Sequence, residues 1–278
     1  MFIAVILAFA VPAAPQFTSG VNVVEVYATV TDQSGELVRG LTRDDFVIKE
    51  DHQLQTISTF AAGDFPLSVA VAVDRSFSMA AGGRLAVARA AAKAFLGELR
   101  PSDEAMVLAI GSTVETVAPR SNRREEQYAA LDRLDSWGNT GLHDAIIAGI
   151  EGVQDAKGRR ALVLLSDGDD RFSTATAAEA LGRARRSDVM VYPIALGRTR
   201  PSLFVELAAL TGGRSFHVQP KLLAETLRGI ARELRYQYLL GYTPTRSIVA
   251  GEENWRSIDV AVNRPGVRVR ARDGYLAK

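Results

Sequence analysis

The chain reads as an α/β protein: a doubly wound, mostly parallel six-stranded sheet inserted in a small β-rich domain formed by the two termini. Between Pro66 and about Arg235, short apolar runs alternate with amphipathic stretches, the pattern of a parallel sheet with helices on its faces. Both flanks alternate residue by residue instead, as half-buried strands do. Neither flank has enough strands for a stable sandwich of its own, so the two are expected to pair. The boundaries that follow are 18–62 and 236–278 for the β-rich segments and 65–235 for the α/β unit.

At the amino terminus, residues 1–14 form an apolar run ending in small residues, which suits a signal peptide with a break near Ala13. Such a leader implies an extracytoplasmic location, periplasmic or secreted. No Lys or Arg precedes the run, so a buried amino-terminal strand is the alternative. Spanning a bilayer takes roughly 20 apolar residues. This run is too short and no later segment qualifies, so no transmembrane segment is expected in the mature chain.

Val21 to Thr31 alternates like a half-buried strand, and Asp32-Gln-Ser-Gly35 is a turn. Phe46 to Lys49 and Gln55 to Phe60 are strand candidates around a polar turn. In the α/β unit the strands are Leu67 to Val73, Ala105 to Ile110, Ala161 to Leu165, Val189 to Leu196 and Ser215 to Val218. Val114 to Val117 follows its predecessor after a tight connection and reads as an antiparallel edge. Arg84 to Leu99 places Leu85, Ala88, Ala92, Phe95 and Leu99 at three- and four-residue spacing, one apolar helix face. Gly141 to Val153, Ala175 to Arg186, Ser202 to Leu210 and Leu222 to Leu234 read likewise, and the doubly wound sheet is expected to hold about six strands and six helices. Beyond them, Tyr236 to Tyr242, Arg256 to Val262 and Val267 to Arg272 are strands, with Pro265-Gly266 as a hairpin turn.

Composition narrows the chemistry. The formal net charge is +1, so nothing global favours nucleic acid as a partner. The clusters Arg123-Arg124 and Arg183-Ala-Arg-Arg186 read as solvated helix faces, since no aromatic platform accompanies them. There is no cysteine, which excludes disulfides, thiolate zinc sites and cysteine nucleophiles.

Ligands of a doubly wound sheet bind outside the carboxyl ends of its strands, at the switch point between the two halves. The first core strand ends there in Asp74-Arg-Ser76-Phe-Ser78-Met, and the strand that starts the opposite half ends in Ser166-Asp167-Gly168. The loop Trp137-Gly-Asn-Thr140-Gly-Leu-His-Asp144 adds a threonine hydroxyl. Two carboxylates and three hydroxyls on three loops meet the demand of a hard divalent cation for oxygen ligands and leave a coordination position unfilled.

At these residues the chain resembles the von Willebrand factor type A family, whose metal-ion-dependent adhesion site is D-x-S-x-S followed by a distant Thr and a distant Asp. Asp74, Ser76, Ser78, Thr140 and Asp167 match it in order. The resemblance spans about Pro66 to Arg235, and both flanks are similar to bacterial exported proteins of this superfamily. It implies hydroxyl ligands from the two serines and the threonine, with carboxylates acting directly or through water. The implied cofactor is Mg2+, with Mn2+ or Ca2+ as alternatives, and the implied role is an extracytoplasmic adhesion or binding module and not an enzyme. An ion held by few negative charges stays electrophilic, so the expected partner is a protein ligand presenting an Asp or Glu carboxylate. Phe77 stands where many relatives carry a small residue. With Trp137 and the loop after Gly168 it forms the expected rim.

Two other functions stay open at this point: a metal-assisted phosphohydrolase, and a structural envelope-assembly protein whose ion only fixes loop geometry. Against catalysis, the chain has no G-x-S-x-G elbow, H-E-x-x-H pair, phosphate-binding loop or dinucleotide fingerprint, and no His or Lys stands recognisably as a base. His143 reads as a packing residue or a partner of Asp144 or Asp167. His52 and His217 take no role. Asp169 and Asp170 read as solvated loop acids, and Met79 as packing under the loop.

Overall fold

The computed structural model describes residues 23–63, 65–168, 170–247 and 254–277. The apolar run 1–14 and Asp169 lie outside them. The first flank supplies β1 (Val24–Asp32), β2 (Phe46–Glu50), β3 (Gln53–Gln55) and β4 (Ile57–Ala62). The α/β unit opens with β5 (Leu67–Asp74), a short helix α1 (Phe77–Ala80) and α2 (Arg84–Gly97). It continues through β6 (Glu104–Ile110), β7 (Val114–Ser121), α3 (Arg124–Asp132) and α4 (Leu142–Glu151). Its second half is β8 (Arg159–Ser166), α5 (Ala177–Arg185), β9 (Met190–Ala195), α6 (Ser202–Thr211), β10 (Phe216–His217) and α7 (Leu223–Arg235). The chain then returns as β11 (Tyr238–Tyr242), β12 (Asn254–Val262), β13 (Val267–Arg270) and β14 (Gly274–Ala277).

The central sheet has the order β10-β9-β8-β5-β6-β7, parallel throughout except for β7, which runs antiparallel to β6 as its tight connection predicts. Every residue of β5 is buried, because helices cover both faces. Side chains alternate across a strand. Val69, Val71 and Val73 accordingly join the core under α2 and α7, while Ala70 and Ala72 join the core under α4 and α6. Phe95 of α2 is fully buried in the first of these cores. Arg124, at the start of α3, departs from the solvated face expected of it: its guanidinium donates to the carbonyls of Arg100 and Asp103 and closes the loop before β6.

The two flanks build two four-stranded antiparallel sheets, β13-β1-β11-β4 and β14-β12-β2-β3, each mixing strands from before and after the α/β unit. Their apolar faces meet around Val26, Ile48, Tyr238, Leu240 and Ile258. Two expectations are corrected here. Pro265-Gly266 is a turn, but it joins strands of different sheets, because β2 and β14 already occupy both edges of β12 and β13 pairs with β1 instead. The single strand expected over Gln55 to Phe60 is divided at Thr56. β3 pairs with β2 through the Asp51-His52 turn, whose φ values are 45° and 67°, and β4 crosses to β11.

Arg159, the first residue of β8, is buried where the α/β unit joins the flanks. Its guanidinium binds the carbonyls of Gly63, Phe65 and Leu234, one junction on each side. In the β-rich part, Glu50 and Arg256 form a buried ion pair at 2.9 Å, and the hydroxyls of Tyr242 and Tyr275 also donate to Glu50.

Candidate metal centre

The carboxyl ends of β5 and β8 are adjacent, so Asp74 and Ser166-Asp167 emerge side by side. Asp74 is fully buried, and each of its oxygens is engaged: Oδ1 accepts from the Ser76 amide at 2.8 Å, Oδ2 from the Ser166 hydroxyl at 2.6 Å. The Ser76 and Ser78 hydroxyls lie 3.0 Å apart, and Ser78 donates to Asp167 Oδ1 at 2.8 Å. A continuous run of hydrogen bonds therefore links Asp74, through the Ser76 amide and the two serine hydroxyls, to Asp167. Burial pushes the Asp74 carboxyl above the usual range, against the hydrogen bonds from Ser166 and Ser76, and the charge of Asp167 adds to the rise.

Thr140 is buried in its loop, and its carbonyl accepts from the amides of Arg171 and Phe172. Four of the five expected residues are thus joined by hydrogen bonds. The fifth is held beside the segment that follows Asp167. Among the described residues, no group of three or more His, Cys, Asp or Glu side chains is placed to hold an ion. A cation here would depend on two carboxylates supplemented by hydroxyls.

Two neighbours carried no role in the sequence reading. Ser166 is the hydroxyl partner of Asp74. Arg84 Nη2 lies 2.8 Å from Asp167 Oδ2 and 2.6 Å from the Ser78 carbonyl oxygen. Arg84 follows Gly82 and Gly83, whose φ values of 64° and 69° turn the start of α2 back over the serine loop. That backbone is open to glycine and strained for other residues. A D-x-S-x-S pattern gives no signal for a side chain arriving from six residues further on.

The loop after Gly168 differs from expectation. Asp170 is not a solvated acid: it accepts from the Leu142 and His143 amides at 2.8 and 3.3 Å and from the Ser173 hydroxyl, capping α4. Against its partial burial, these bonds hold its carboxyl below the usual range. Asp144 accepts from the Thr174 and Ala175 amides, both at 2.9 Å, and His143 Nδ1 lies 3.0 Å from the Ala175 carbonyl oxygen. His143 thus binds the loop backbone and neither of the aspartates expected for it. Met79 is buried, as expected under the loop.

Around the crevice stand three exposed aromatics, one per loop: Phe77 at 64%, Trp137 at 43% and Phe172 at 55% exposure. Their backbones are pinned to the site, since Phe77 donates to the Gly138 carbonyl, Trp137 to that of Arg75 and Phe172 to that of Thr140. Trp137 packs its inner face against Gly111, where an added Cβ would collide with the ring, and leaves its outer edge in solvent.

Residues 69–169 match the family model described as the von Willebrand factor type A domain. The α/β unit has the fold of a von Willebrand factor type A domain. No curated protein matches the chain. Among solved structures, BatB from Bacteroides thetaiotaomicron aligns with a TM-score of 0.51 at 18% identity, covering 60% of this chain and 97% of that one. The von Willebrand factor domain of the type V pili tip protein Mfa5 from Porphyromonas gingivalis aligns with a TM-score of 0.53 at 11% identity, covering 62% and 95%. A von Willebrand factor type A protein from Catenulispora acidiphila gives a TM-score of 0.56 at 15% identity and covers 94% of this chain and 74% of that one. Its alignment extends past the type A-like domain into the flanking strands. At these identities the likeness is one of fold.

Proposed function

We propose that the type A-like domain is an extracytoplasmic, metal-assisted binding module that recognises a protein ligand through a carboxylate. The observation that carries this reading is the hydrogen-bonded cluster of Asp74, Ser76, Ser78 and Asp167, at the switch point of the sheet. The donor set fits a hard divalent cation: all its members are oxygens, two of them are carboxylates, and the hydroxyls sit between the carboxylates. Asp74, Ser76, Ser78, Thr140 and Asp167 would hold the ion, some of them through water. Mg2+ suits this set, with Mn2+ or Ca2+ in its place under other conditions. When bound, the ion supplies an electrophilic position for one anionic oxygen.

The chain's own residues do the rest. Phe77, Trp137 and Phe172 present exposed apolar surface around that position, and large aromatic side chains give contact area at low entropic cost. The partner is therefore expected to carry its Asp or Glu next to apolar side chains. Among the described residues no helix is long and apolar enough to cross a membrane. The placement outside the cytoplasm rests on the leader-like run at residues 1–14.

Affinity capture from an envelope fraction with Mg2+ and then with chelator tests this. The partner should be retained with Mg2+, released by chelator, recovered with Mn2+, and lost when one of its carboxylates becomes an amide. Retention undiminished in chelator would show that the contact surface lies elsewhere.

A further inference from the structure

We infer that Arg84 is the internal counter-cation of the crevice: it neutralises Asp167 in the ion-free protein, and a divalent ion binds only by displacing it. This rests on the assignment of the oxygen ligands to an ion and adds a residue outside that set.

The Asp167 side chain is only 5% exposed, and a carboxylate so desolvated requires a partner. Both its oxygens have one: Ser78 donates to Oδ1 and Arg84 holds Oδ2 at 2.8 Å. The nearby Arg75 is not an alternative, since it pairs with Glu115 at 2.8 Å. With Asp74 and Asp167 ionised, the crevice carries two negative charges, and Arg84 reduces the sum to one. An ion entering beside Arg84 would leave a net positive charge in a largely buried site. An ion replacing Arg84 leaves it neutral. A guanidinium cannot escape by losing its proton, so it must move. The way out is open, because Arg84 is the first residue of α2, is 28% exposed at its side chain, and lies before the buried face that starts at Leu85. Ser78 can keep donating to Asp167 Oδ1 while a lone pair of its oxygen turns to the ion. Only the two Arg84 contacts, to Asp167 Oδ2 and to the Ser78 carbonyl, have to break.

Arg84 therefore weakens the affinity for divalent ions and holds the serine loop and Asp167 together in their absence. The test is calorimetric titration with Mn2+ of the wild type, Arg84→Gln, Arg84→Met and Arg84→Lys, each also in the Asp74→Asn background, with melting temperatures taken in chelator. Removing one part-exposed charge pair should tighten Mn2+ binding by roughly tenfold in the Gln and Met variants. The Lys variant, which keeps the charge, should stay within about threefold of wild type, and Asp74→Asn should abolish binding in every background. In chelator the Gln and Met variants should melt below wild type, because Asp167 has lost its partner. Either the Gln or the Met variant, whichever folds, is sufficient. Unchanged or weaker Mn2+ affinity in it, with binding still abolished by Asp74→Asn, would overturn the role of Arg84 and leave the ion site standing. Absence of any Asp74-dependent binding would overturn both.

Discussion

Asp74 carries opposite consequences for stability with and without an ion. Its carboxyl is raised by burial, so the folded ion-free protein prefers it protonated, and its stability falls as pH rises from the usual carboxylate range through the raised value. At neutral pH the buried charge is a cost to the ion-free fold. Asp74→Asn should then stabilise the ion-free protein by about 1 kcal/mol, a rise of roughly 2–4 °C in melting temperature, and should eliminate any further rise on adding Mn2+. Thermal melts in chelator and in Mn2+ check both, and a wild-type melt indifferent to Mn2+ would remove the basis for the expectation. The rim behaves differently. Phe77 is exposed, so Phe77→Ser should leave stability within about 0.5 kcal/mol and Mn2+ affinity unchanged, as melts and calorimetry would show. At this scale the juxtaposition of Asp74, Ser76, Ser78 and Asp167 was legible, because strand ends at a switch point bring their loops together. Arg84, Ser166 and Asp170 were not, because what they do depends on backbone groups and carboxylates 6, 92 and 28 positions away.

Elements deliver those side chains, and the tolerances between them are small. A Cβ added at Gly197, just past β9, would overlap the carbonyl oxygen of Asp167 just past β8. Gly197→Ala should therefore cost about 1–3 kcal/mol and weaken Mn2+ binding together with it, measured by denaturant titration and calorimetry. A stability loss with Mn2+ affinity intact would mean that Asp167 does not move with its strand end. Asp170 acts on a helix instead. Removing its bonds to the α4 amides in Asp170→Ala should cost about 1 kcal/mol. Periodicity predicts α4 well but says nothing of this cap, because the capping residue lies after β8 and not before the helix.

For the molecule as a whole, the expectation that the flanks pair was sound because each lacked enough strands to stand alone. Their division into two sheets was less legible. A Pro-Gly turn signals a reversal, whereas sheet membership depends on which edges are already taken, a property of the assembled whole. The two sheets close over Glu50 and Arg256, which come from opposite ends of the chain. Breaking a buried ion pair strands the surviving charge. Glu50→Ala should thus destabilise by about 3–5 kcal/mol, checked by denaturant unfolding. It should also increase protease cleavage in both flanks at once, since each sheet is made from both.

Arg159 also gives the domain a mechanical axis. It gathers the carbonyls of both junctions at the amino end of β8, while the crevice opens at the carboxyl end of the same strand and of its neighbour β5. Tension between a gripped partner and the flanking sheets would run lengthwise along these two adjacent strands, roughly 25 Å of extended backbone. The two parallel strands are loaded in the same sense, so the pull passes along their covalent backbones and falls on the Arg159 contacts at the junction. A single-molecule pulling experiment across the crevice and the flanks should find Arg159→Ala yielding at lower force at the junction.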